Sequence, residues 1–117
     1  MTEQEFWNFF KQRGRAPMKL GYMDSEDPAV KAEMEYVGGH ALLPKGYDEL
    51  SESNIIDFGN LLFQDVNLKT KETIIVILAH QTSETALSLL TKYNLKPDKE
   101  LKAFAKIALD ECLMWNE

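Results

Sequence analysis

The stretch from Lys69 to Glu117 constrains this chain most. Three apolar segments follow one another with only short polar breaks between them: Ile74 to Ala79, Ala86 to Leu90, and Leu101 to Trp115. Apolar residues at helical spacing, joined by such short connections, leave room for packed helices and little else. The first segment is ambiguous alone, because the β-branched run Ile74-Ile75-Val76-Ile77 favours a strand on propensity. No partner strand is visible and its neighbours are helical, so it is read as a buried helix. Ser83 or Thr82 caps the following helix, which ends near Tyr93-Asn94. Asp98 caps the last, in which Leu101, Phe104, Ala105, Ala108, Cys112 and Trp115 recur at helical spacing.

Upstream, Thr2-Glu3-Gln4-Glu5 has the pattern of a capping box. Phe6, Phe9 and Phe10, with Trp7 beside them, then form an aromatic face, and Gly14 ends the helix. Asp27-Pro28 opens a second helix, aspartate at the cap and proline at the first helical position, and Gly38-Gly39 stops it. Ser51 to Asn54 offers caps for a third, carrying Ile55, Ile56, Phe58, Leu61, Leu62 and Phe63. The expectation is an all-α fold of about six helices in antiparallel pairs, forming a single domain over residues 1–117. At 117 residues such a chain can bury a core without staples.

Residues 81–115 resemble the HEAT-like helical repeats, which stack two-helix units into an α-solenoid. The polar turn Gln81-Thr82-Ser83-Glu84 leads into Ala86-Leu87 and Leu90. Pro97-Asp98-Lys99-Glu100-Leu101-Lys102 then precedes Ala105, Ala108-Leu109 and Cys112. Asp27 to Ala32 echoes Asp98 to Ala103 in the pattern Asp, any, any, apolar, Lys, Ala, at a spacing of about two repeat lengths. The 38–51 connection and the aromatic first helix depart from the family pattern. The resemblance implies an interaction scaffold, with small alanines letting neighbouring units approach and no catalytic motif to carry over.

Chemistry is sparse. There is no glycine-rich phosphate loop, GxSxG elbow, HExxH pair or set of CxxC knuckles. The reading is therefore not an enzyme, with no cofactor and no metal. Cys112, the single thiol, lies on the apolar face of the last helix and reads as a small hydrophobe. It also excludes an intramolecular disulfide. His80 falls at a helix C-terminus, where it can satisfy end carbonyls. His40, in an irregular loop near Tyr36 and Tyr47, is the alternative site: a small-ligand pocket or an enzyme centre. Lys11, Arg13, Arg15 and Lys19 form a basic run, read as a solvated loop. Trp7 and Trp115 are read as core or end-capping residues.

Charge is the most informative feature. The chain carries a net charge of −6, which disfavours nucleic acid as a partner. Between Asp24 and Asp57 stand nine acids and two bases. The candidate contact surface comprises Asp24, Glu26, Glu33, Glu35, Tyr36, Tyr47, Asp48, Glu49 and Glu52. An acidic surface with aromatic anchors suits a protein partner with a basic surface. One form is an acidic inhibitor of the immunity type. A further alternative is a structural homo-oligomer, in which Leu113, Met114 and Trp115 on the flank of the last helix are shared between copies. The N-terminus is acidic where a signal peptide is basic, and no segment is apolar enough to span a bilayer, so the expectation is a cytoplasmic protein without membrane contact.

Overall fold

A computed structural model describes residues 1–13, 43 and 46–117. The predicted helix opened by Asp27-Pro28 and the first half of the proposed repeat echo lie outside the described residues. Five α-helices are present among the described residues: α1 (Glu3–Arg13), α2 (Glu52–Leu61), α3 (Leu68–Ala79), α4 (Glu84–Leu95) and α5 (Lys102–Trp115). Short 3₁₀ turns, Tyr47–Glu49 and Lys99–Leu101, precede α2 and α5. The described residues are all-α, without strands.

The α1 start closes as its sequence predicts. The Glu5 amide donates to the Thr2 hydroxyl at 3.1 Å, and the Thr2 amide donates to the Glu5 carboxylate at 2.9 Å. Phe6 is fully buried, edge-on to Phe58 with ring centroids 5.2 Å apart, and Phe9 meets the same ring. These contacts attach α1 to α2. Trp7 is partly buried, and its indole N–H donates to the Thr70 hydroxyl at 3.1 Å.

α3 is the central element, and the strand-like run is helical. From Ile74 to Ala79 every side chain is buried, whichever way it points. A helix apolar on all sides needs neighbours on all sides, and α2, α4 and α5 pack against α3. Each β-branched residue costs a helix a few tenths of a kcal/mol, whereas burying each such side chain contributes about 1.5–3 kcal/mol. Burial therefore wins. The α3 entry is capped twice. The Asn67 side chain accepts from the Lys69 amide at 2.8 Å, and the Glu3 carboxylate of α1 accepts from the Asn67 amide at 3.0 Å.

Ser83, rather than Thr82, caps α4, accepting from the Ala86 amide at 3.3 Å. The helix continues to Leu95, one residue past the predicted end. The Asn94 amide group donates to the Ala105 carbonyl at 3.1 Å, near the α4 end and the α5 start. At the other extremity the Asn116 amide group donates to the Gln81 carbonyl at 3.0 Å. Thus α5 runs back along α4. Ala105, Ala108 and Cys112 are the buried positions that let it lie close.

Two expectations need correction here. Asp98 makes no side-chain cap hydrogen bond; a 3₁₀ turn separates it from α5, which begins at Lys102. Its carboxylate is turned instead toward Lys71 and Tyr93. Of the apolar residues expected in α2, Phe63 lies beyond its end at Leu61, and both Ile56 and Phe63 are exposed.

Candidate interaction surface

The hydrogen bonds between elements give the molecule two distinct ends. At one, the Ser83 hydroxyl donates to the Glu52 carboxylate at 2.8 Å, joining the α2 start to the α4 start. The Gln81 side chain donates to the Tyr47 carbonyl at 2.6 Å and to the Ile77 carbonyl at 2.9 Å, tying the first 3₁₀ turn to the α3 end. His80 Nε2 lies 3.0 Å from the Glu111 carboxylate of α5, and the His80 ring stands edge-on to Tyr47 at 5.7 Å. Segments 46–53, 80–85 and 110–117 therefore meet here. They hold seven acids (Asp48, Glu49, Glu52, Glu84, Asp110, Glu111 and Glu117) and no Lys or Arg.

At the opposite end, Phe63 meets Tyr93 edge-on at 6.2 Å, and the Lys92 ammonium lies 4.8 Å from the Phe63 ring centroid. Segments 62–66 and 91–102 hold Lys92, Lys96, Lys99 and Lys102, all exposed, against Asp65, Asp98 and Glu100. Charge is therefore segregated along the helices, acidic at the α4 start and basic at its end.

Of the predicted contact residues, Tyr47, Asp48 and Glu52 stand at the acidic end, and the Glu49 backbone belongs to the same 3₁₀ turn. Asp24, Glu26, Glu33, Glu35, Tyr36 and His40 lie outside the described residues. Tyr47 is half-buried against the core edge. Glu52 is exposed but engaged: hydrogen bonds from Thr85 and Ser83 hold its carboxyl below the usual carboxylate range. Asp48 stands exposed in the 3₁₀ turn.

Among the described residues, His80 and Cys112 are held in structural contacts. His80 Nδ1 lies 2.7 Å from the Val76 carbonyl and Nε2 faces Glu111, so both ring nitrogens are engaged at the α3 C-terminus. A general base needs one of them open toward substrate. Cys112 is fully buried, its sulfur 3.6 Å from the Leu78 carbonyl and 3.5 Å from the Asn116 amide nitrogen. Burial pushes its thiol up to about 11, the reverse of what a nucleophile requires. The open groove between the first turns of α1 and α3 is lined by Glu3, Trp7 and Thr70, which hydrogen-bond among themselves. Among the described residues no buried side-chain polar atom lacks a partner, and no cluster of three metal-ligating side chains occurs.

Trp115 lies on the exposed flank expected for the shared-face alternative and not in the core. It is 54% exposed, with Met114 at 67% and Leu113 at 45% beside it. Periodicity conceals this: Trp115 shares the helical spacing of Ala108 and Cys112 but stays exposed, although Asn116 beyond it still donates to the Gln81 carbonyl. No helix of the described residues is long and apolar enough to cross a membrane. Comparison with protein-family models, curated proteins and solved structures finds no match.

Proposed function

We propose that this chain is a small protein-interaction module that engages a partner with a basic surface, and that segment 24–57 forms its contact region. The carrying observation is the gathering of seven acids, without Lys or Arg, in the three segments that meet around Tyr47 and His80. Such a field accelerates encounter with a cationic partner and disfavours nucleic acid. In this reading the helices are HEAT-like antiparallel pairs, and α4 with α5 is the pair that supports it. An inhibitor of the immunity type, covering a basic active site, is one concrete form. The engaged nitrogens of His80 and the buried thiol of Cys112 support a binding role over an enzymatic one.

The test is affinity capture at low and then moderate salt, comparing wild type with a variant carrying Glu33→Gln, Glu35→Gln and Asp48→Asn. A basic protein held by wild type, released as salt rises and held less well by the variant, is the expected result. Retention unchanged by the substitutions would sink the reading.

A further inference from the structure

We propose that the last turn of α5 is the anchoring point of the acidic end, and that it takes a cationic amphipathic segment of another protein. This rests on the interaction-module reading and names the partner's chemistry. Leu113, Met114 and Trp115 form a run of three exposed apolar side chains in a helix whose preceding turns bury Ala105, Ala108 and Cys112. Tryptophan and methionine are enriched at interface cores, and tryptophan is prominent among residues that carry binding energy.

What surrounds them selects the occupant. Glu111, one turn before Trp115, is bound to His80, which stands edge-on to Tyr47, and Asp48 follows in the same 3₁₀ turn. Asp110 and Glu117 flank the run on α5 itself, Asp110 carrying an exposed pair with Lys106. Exposed apolar side chains on a helix end that also carries Asp110, Glu111 and Glu117 match a segment that presents apolar side chains on one face and Lys or Arg around them. A purely basic chain would leave Trp115 and Met114 in water, and an acidic one would be repelled.

Fluorescence anisotropy with three labelled helical peptides tests this: one of Lys and Leu with an amphipathic pattern, one of Lys and Ser with equal charge, and one of Glu and Leu. The Lys/Leu peptide should bind at least about tenfold more tightly than the Lys/Ser peptide, more weakly as salt rises, and the Glu/Leu peptide should not bind. Trp115→Ala should weaken the Lys/Leu peptide about tenfold while leaving the Lys/Ser peptide unchanged. Met114→Gln, a milder change at an exposed position, should act in the same direction, and circular dichroism verifies folding of both. Equal affinity for the Lys/Leu and Lys/Ser peptides, with both weakened by the acid substitutions in 24–57, overturns the Trp115 anchor and leaves the basic-partner reading intact. Binding of neither cationic peptide overturns both. Mass that grows with protein concentration, and is lost in Trp115→Ala, assigns the face to a second copy and overturns the proposal as well.

Discussion

The Lys71 ammonium lies 2.9 Å from the Asp98 carboxylate, joining the middle of the chain to the α4–α5 connection. Lys71 is buried and Asp98 partly so. The Tyr93 hydroxyl completes the arrangement, donating to the Asp98 carboxylate and accepting from the Asp98 amide at 3.1 Å. A lysine buried on the central helix is tolerated because the connection brings it a counter-charge.

Removing that counter-charge should cost more than removing the lysine. Asp98→Ala leaves a buried ammonium without its carboxylate, and should lower stability by about 2–3 kcal/mol; partial exposure of Asp98 keeps this below the cost of breaking a fully buried pair. Lys71→Met removes the charge that needs a partner and should cost about 1 kcal/mol or less. Urea unfolding of both variants gives the order, and a larger loss in Lys71→Met would contradict it.

The same cluster makes stability depend on pH in two windows. Hydrogen bonds from Tyr93 and Lys71 hold the Asp98 carboxyl below its ordinary value. Its contribution is therefore present above the unfolded carboxylate range, about pH 4, and lost as pH falls through the lower folded value. Burial and the Asp98 contact push the Tyr93 hydroxyl upward. Its contribution is complete below about pH 10, where the unfolded phenol titrates, and is lost as pH rises beyond that. Asp98→Asn should flatten the acid side of the profile, and Tyr93→Phe the alkaline side. Thermal unfolding across pH reads both.

Cys112 should be inert in the folded protein. Its thiol is raised to about 11 and fully buried, so it reacts with a disulfide reagent at pH 8 only when α5 opens. The native rate should fall at least about 100-fold below that of the urea-unfolded chain. Comparable rates in the two states would show that α5 does not seal the thiol.

Gly59 marks the close approach of α2 to α4. A Cβ placed there would collide with Leu89 Cδ1 and lie 2.9 Å from Cδ2. Gly59→Ala gains up to about 1 kcal/mol in helix propensity, and overpacking costs about 1–3 kcal/mol, so a net loss of about 1 kcal/mol is expected. With Leu89→Ala as background the clash disappears and Gly59→Ala should become neutral or stabilising. Additive effects in this double-mutant cycle would exclude the contact as the cause.

Local signals were legible where a short-range interaction decides the outcome. Thr2 and Glu5 cap α1 as their spacing predicts, and Ser51 and Ser83 cap α2 and α4. The small residues Ala105, Ala108 and Cys112 proved to be the buried stripe of α5. Elsewhere a long-range partner overrode the local rule. Asp98 looks like a cap from its neighbours alone, but the buried Lys71, 27 positions earlier in the chain, takes its carboxylate. Trp115 fits the apolar spacing of α5, yet periodicity says which residues share a face, not whether another element covers it.

By itself the sequence determined the helical character of the segments around the Ile74–Ile77 run, the capping box of α1, a narrow choice of caps for α2 and α4, and that its acids outnumber its bases. Those properties follow from residue type and from interactions spanning a few positions. Only the tertiary structure decided that the β-branched run Ile74 to Ile77 is a helix buried on every side. It also decided that Lys71 can be buried, that Glu52 serves α4, and that carboxylates from three separate segments stand at one end beside an exposed Trp115. Each of these depends on groups distant in sequence and adjacent in space, where burial and pairing free energies exceed the few tenths of a kcal/mol by which local preference differs.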